Sequence, residues 1–265
     1  MDSLFSGSLC LIITGASRGF GQAVCVKFAE AVTKGKGRAK FFLLARNENG
    51  LAETTKLIKE VSKDVEVQVV CVDVGNLSSL PDAIQTIESG LKPDDYQNSI
   101  FIHNAASLES QSVVDTDDCE YIGKYLDLNY TSCHYLSSKY LQLFKNSPGK
   151  MHLVNISSIC ALDPYKRWAL YCSMKAARDM LISVIAKENP LVRAVNYAPG
   201  PMNTKLLVDA LHRNADPSIK SSLLGAIEKK QTVNPMDSAA KLARLLVEDK
   251  YENGTHFDIF DEFPQ

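Results

Sequence analysis

No C-x-x-C pair occurs among the seven cysteines, at positions 10, 25, 71, 119, 133, 160 and 172, and their number is odd. A disulfide framework needs paired thiols and a zinc site needs closely spaced ligands, so neither is expected, and no metal is. Most of the cysteines are expected as small buried apolar residues. Long apolar runs are missing too: the run from Leu9 to Ile13 is too short for a signal-peptide core or a membrane span, and no basic residue precedes Arg18. A soluble, cytoplasmic protein with no membrane partner is the expectation. Nor does charge of one sign dominate. The formal net charge is -2 and the basic residues are scattered, which leaves no electrostatic footprint for nucleic acid. Internal repeats and low-complexity stretches are also lacking.

The 265 residues are 45% hydrophobic and 23% charged, ordinary values for a globular chain and enough for one large α/β domain spanning 1–265. Short β-branched and apolar runs at 9–14, 40–45, 67–72, 99–104, 151–156 and 192–197 read as strands, with a last short one near 256–260. Helical spacing of apolar residues marks 22–33, 51–62, 77–91, 118–145, 170–187 and 237–248. Continuous apolar strands such as FFLLA suit a parallel sheet buried on both faces, and right-handed crossovers then give a Rossmann-like, doubly wound fold. The segment 201–231, flanked by prolines, is read as a small helical lid over the strand ends.

The first strand runs into TGASRGFG, Thr14 to Gly21, and a helix follows. Gly15, Gly19 and Gly21 permit a tight turn and close approach of a pyrophosphate, with Ser17, Arg18 and Phe20 lining the turn and the helix N-terminus facing the anion. A glycine-rich turn alone also simply ends strands; its place between strand and helix is what gives it meaning. Arg46 and Asn47 end the second strand where an NAD site usually carries an acidic residue, and an arginine there, helped by Arg18, suits the 2′-phosphate of NADP. Either arginine alone can be read as a solvated surface residue, but the two together favour NADP. Asp73 and Val74 follow the third strand, where a carboxylate and the next amide can meet an adenine, or where an aspartate merely closes a turn. Asn104 begins a turn of small residues after the fourth strand that would let the backbone pass close to a ribose.

Tyr171 and Lys175 are four residues apart and share one helix face, with Ser158 just after the fifth strand. In isolation a Y-x-x-x-K is common in amphipathic helices; after a dinucleotide fingerprint it is not. Together TGASRGFG, the NAA turn, Asn129 in a helix, NISS, YCSMK and NYAPGP resemble the short-chain dehydrogenase/reductase family over nearly the whole chain. The resemblance implies Tyr171 as general acid, Lys175 binding the nicotinamide ribose and lowering the tyrosine pKa, and Ser158 holding the substrate carbonyl. It further implies Asn129 holding a water on the lysine and NADPH supplying the hydride. Met202 and Thr204 are implied as cofactor contacts. Ala106 departs from the family's N-A-G turn, and His103 replaces a frequent asparagine.

More narrowly, NISSICALDPYKRWALYCSMKAARDML and the terminal GTHFDIFD resemble the members of the family that reduce ketones on pterin side chains at the end of tetrahydrobiopterin synthesis. That likeness implies Asp258 anchoring the pterin ring, Gly200 beside the substrate, and Ile159, Tyr165, Trp168, Cys172 and Met202 as candidate walls. Strand alternation would turn Asp258 and the nearby aromatics to opposite faces. A homodimer through helices near 118–145 and 170–187 is implied as well. A broader carbonyl or hydroxysteroid reductase would use the same Ser158, Tyr171 and Lys175 without needing Asp258. A silent NADP-binding regulator would need none of the three.

Overall fold

A computed structural model describes residues 4–202, 204, 207–208, 216–217, 221, 224–225 and 232–264. Seven strands form one sheet: β1 (Ser8–Thr14), β2 (Arg38–Ala45), β3 (Val65–Cys71), β4 (Asn98–His103), β5 (Lys150–Ile156), β6 (Val192–Ala198) and β7 (His256–Asp258). Their order is β3-β2-β1-β4-β5-β6-β7 and every pair is parallel. The helices among the described residues include α1 (Gly19–Gly35), α2 (Glu48–Val61), α3 (Leu80–Ser89), α4 (Cys119–Leu126), α5 (Ser132–Phe144), α6 (Ala169–Glu188) and α7 (Pro235–Glu248). Order reversal about β1 and β4 makes a Rossmann-like, doubly wound fold, with a crevice at the carboxyl ends of the strands where β1 and β4 part.

The FFLL run shows how the sequence dictates two cores. Side chains alternate across a strand, so Phe41 and Leu43 enter one apolar cluster with α1, α2 and α7, while Phe42 and Leu44 enter the other with α3, α5 and α6. All four are fully buried, and each contributes roughly 2 kcal/mol by its removal from water. Asn47 caps α2, its side chain accepting from the Gly50 N–H at 2.7 Å, and Asp118 caps α4 by accepting from the Glu120 and Tyr121 N–H groups.

Two expectations need correction. The helix expected over 118–145 is interrupted by a π-turn at Asp127–Thr131, which separates α4 from α5; hydrophobic periodicity does not register one extra residue in a turn. The last strand stops at Asp258 rather than 260, because the Asp258 carboxylate accepts from the Phe260 N–H at 3.0 Å and turns the chain. Phe257 is consequently buried and Phe260 exposed, so the two aromatics do not share the face opposite Asp258. The lid expected over 201–231 falls largely outside the described residues. Among those residues, no helix is long and apolar enough to cross a membrane.

Candidate active site

The turn after β1 is built for a bound group lying close to backbone. Gly15 and Gly19 have φ of +70° and +58°, a region that favours glycine. A Cβ on Gly15 would lie 2.7 Å from the Asn104 amide nitrogen, and one on Gly21 would collide with the Gly15 carbonyl. The N-terminus of α1 has no side-chain cap and no acidic residue in its first turn, and Arg18 ends the loop in extended, exposed form. Open amides at a helix start favour an anion. The residues therefore fit a dinucleotide pyrophosphate at Gly15–Gly21, with Thr204 nearby: its methyl would lie 3.7 Å from a Cβ on Gly19. Phe20 is turned inward, stacked on Tyr197, and Ser17 packs over Gly50 at the start of α2.

Other expected cofactor residues divide between open and committed side chains. Arg46 is exposed and makes one weak ion pair with Asp73, Nη1 to Oδ2 at 3.4 Å; such a pair in water contributes about 0–1 kcal/mol and does not tie the guanidinium down. The other Asp73 oxygen accepts from the Gly75 N–H at 2.9 Å, the turn-closing role. Asn47 spends its side chain on the α2 cap, while Val74 and Met202 are buried in the two cores. For Val74 and Met202 only backbone groups remain for a ligand, whereas Asn47 keeps the donors of its side-chain Nδ2. The Asn104 side-chain amide donates to the Thr14 and Gly15 carbonyls, both at 3.1 Å, and fixes the glycine turn from beneath.

Ser158, Tyr171 and Lys175 are brought together where β5 ends and α6 begins. Ser158 is extended and caps a short 3-10 turn, its Oγ accepting from the Cys160 N–H at 3.2 Å. Its side chain also lies near enough to Tyr171 to hold that phenol's pKa down. Lys175 lies one turn beyond Tyr171, its Nζ 5.5 Å from the tyrosine ring centre and donating to the Ile156 carbonyl at 2.6 Å. Both side chains are buried. Burial, followed by the charge of Arg178, lowers the Lys175 pKa from 10.5 to about 7. Burial and the neighbouring Cys160 raise the Tyr171 phenol above its ordinary value, opposed first by Ser158 and then by Arg178. Desolvation thus dominates at Tyr171, and the buried lysine is itself only partly charged near neutrality.

Asn129 sits in the π-turn with its side chain largely used. Its Oδ1 accepts from the Ser107 N–H at 2.9 Å, and Nδ2 donates to Ser107 Oγ at 3.1 Å and to the Tyr125 carbonyl at 3.0 Å. The side chain pins the loop after β4 to the helix, and both amide hydrogens are unavailable to the water expected there. Trp168 is buried, stacked on Tyr165 at 5.5 Å and edge-on to Tyr171 at 6.0 Å. With Leu108 and Cys160 they form an apolar wall beside the tyrosine, which Cys172 and Leu207 join. Ile159 is exposed. Gly200 has φ +80°, and a Cβ there would strike Val233 and Ile259. Asp258 pairs with Ala198 at the carboxyl end of β6, two residues before Gly200, and is half-buried.

Sequence reasoning missed a polar layer under α6. Arg178, fully buried, donates from Nε to Asn155 Oδ1 at 2.8 Å, from Nη1 to the Ala105 carbonyl at 3.2 Å and from Nη2 to the His103 carbonyl at 2.7 Å. Asn155 donates to Asp179 at 2.9 Å, and Asp179 pairs with His256 at 2.7 Å. The signal was present: Tyr171, Lys175, Arg178, Ile182 and Ile185 form one stripe at helical spacing, all buried.

A seven-stranded parallel sheet, a glycine cradle at its crevice and a Ser–Tyr–Lys cluster define an oxidoreductase that works with a nicotinamide cofactor. Residues 10–215 match the short chain dehydrogenase family model, and the chain belongs to the short-chain dehydrogenase/reductase family. Over nearly its full length it is similar to sepiapterin reductases. It is 35% identical to that of Meriones unguiculatus, covering 98% of this chain and 100% of the relative, and 37% identical to that of Bos taurus, covering 96% and 95%. The solved KRED1-Pglu enzyme is 26% identical with a TM-score of 0.78, covering 94% of this chain and 99% of that one.

Proposed function

We propose that this protein is an NADPH-dependent reductase of ketones on pterin side chains, in the manner of the sepiapterin reductases it resembles. The observation that carries the reading is the buried Ser158–Tyr171–Lys175 cluster beside the glycine cradle, in a chain whose full-length relatives carry that name. NADPH, when bound, supplies the hydride. Ser158 holds the substrate carbonyl oxygen within reach of Tyr171, whose hydroxyl gives that oxygen its proton. Lys175, with a pKa near 7, can gain and lose a proton at working pH and so replenishes the tyrosine. The apolar wall of Trp168, Leu108 and Tyr165 excludes water around the phenol. Arg46, exposed and only weakly paired, and Arg18 at the mouth of the glycine turn are assigned to the 2′-phosphate.

Asp258 is assigned to the pterin ring. One of its oxygens is engaged by the Phe260 N–H, which leaves Oδ2 as the principal acceptor for a ring amino group. Exposed apolar residues on α6, Met180 and Val184, together with Val113 and Val114, support a homodimer as part of the same reading.

NADPH oxidation should be followed with sepiapterin and with a small diketone, for wild type and Asp258→Asn. Loss of a charge-assisted hydrogen bond should lower kcat/KM for sepiapterin roughly ten- to hundred-fold and leave the diketone nearly unchanged. Equal losses on both substrates, or none on sepiapterin, would replace the pterin reading with a broad carbonyl reductase.

A further inference from the structure

Position 178 asks for an apolar residue on packing grounds alone, since Ile182 and Ile185 continue the same buried stripe of α6. An arginine there is costly to desolvate unless every donor is met. Three of its five N–H groups, one on each nitrogen, are met by a particular set of acceptors. The carbonyls of His103 and Ala105 flank Asn104, and Asn155 lies on the neighbouring strand. The same three-residue segment is held from its other side. Thr14 Oγ1 accepts from the Asn104 and Ala105 N–H groups at 3.1 and 3.0 Å, and the Asn104 amide grips the Thr14 and Gly15 carbonyls. A continuous polar path thus runs from α6, which carries Tyr171 and Lys175, through Arg178 and residues 103–105 to the glycine turn.

We propose that Arg178 is a positioning residue: its guanidinium locks the helix bearing Tyr171 and Lys175 to the turn after β4, and through that turn to the glycine cradle, so that proton donor and cofactor site keep one registry. This rests on reading the cradle as the nicotinamide-cofactor site. A guanidinium is suited to the task because its planar fork reaches several fixed acceptors at once, whereas an ammonium on a flexible stem reaches fewer. The rigid sheet supplies the acceptors: β4 and β5 are adjacent and in register, His103 opposite Asn155.

The test compares wild type with Arg178→Lys, which keeps charge but not the fork, and Arg178→Met, which keeps volume only. Cofactor Kd is read without turnover, by energy transfer from Trp168, the single tryptophan, to bound NADPH. Steady-state kcat and KM are read with whichever carbonyl the wild type reduces best, and melting temperature is read alongside. Arg178→Lys should fold, bind NADPH about ten-fold more weakly and lose on the order of a hundred-fold in kcat, since misplacement of reacting groups by about 1 Å has that effect, while carbonyl KM changes little. If neither arginine variant folds, Thr14→Val loosens the same clamp from the opposite side and should give the same pattern, with Thr14→Ser restoring wild-type values. A lower melting temperature with Kd and kcat within about two-fold of wild type would make Arg178 merely structural and overturn the proposal, as would a wild type that binds neither NADPH nor NADH. A wild type that reduces a diketone but not sepiapterin overturns the pterin reading alone, because the Arg178 measurements do not depend on the substrate.

Discussion

Raising the pH from 7 to 9 should stabilise the wild-type fold relative to a Lys175→Met variant. The Lys175 amine is fully buried, and burial, then Arg178, lowers its pKa from 10.5 to about 7. Below pH 7 the lysine is protonated in both folded and unfolded chains, and the native state bears the whole cost of a buried ammonium. As pH rises through 7 the folded lysine sheds its proton while the unfolded one keeps it until about 10.5, so the unfolded state binds more protons and stability climbs across that window. At about 1.4 kcal/mol per pH unit, the full window is worth on the order of 5 kcal/mol, and the interval from 7 to 9 roughly 2 kcal/mol. Methionine fills most of the same space without a titrating group. Urea unfolding at pH 7, 8 and 9 for both proteins gives the difference directly, with titrations common to the two cancelling. Parallel stability curves, or a wild type that loses ground to the variant as pH rises, would refute the buried, partly neutral lysine and with it the proton-replenishing role assigned to Lys175.

Tyr171→Phe removes the hydroxyl beside Ser158 while keeping the ring that packs on Trp168; kcat should fall by about a thousand-fold, as expected for a lost general acid, with NADPH Kd almost unchanged in a fluorescence titration. Arg46→Ala removes an exposed guanidinium whose ion pair with Asp73 is weak. Stability by thermal melt should therefore move by less than about 0.5 kcal/mol, whereas kcat/KM for NADPH should fall and that for NADH should not.

Much of the architecture was legible because it depends on local rules. Alternating burial of Phe41, Phe42, Leu43 and Leu44 needs a strand with two covered faces, and that pattern, repeated between helical segments, leads to a parallel sheet. The glycine turn was legible because positive φ and close backbone approach require glycine whatever surrounds it. The spacing of Tyr171 and Lys175 placed both on one helix face. Chain-local signals, however, do not say what a side chain meets across the fold. Asn129, Asn47 and Asp73 each had a ligand-facing reading, yet their polar atoms are wholly or partly taken by Ser107 and Tyr125, by Gly50, and by Gly75 and Arg46. The electrostatics of Tyr171 turned on burial and on Arg178 and Cys160, residues brought near by folding. Arg178 itself lay in plain view on a buried stripe. Only the assembled sheet, which sets the carbonyls of His103 and Ala105 and the amide of Asn155 at the end of its guanidinium, decides that a charge and not an isoleucine belongs there, because burying a cation is tolerable only where fixed acceptors already wait for it.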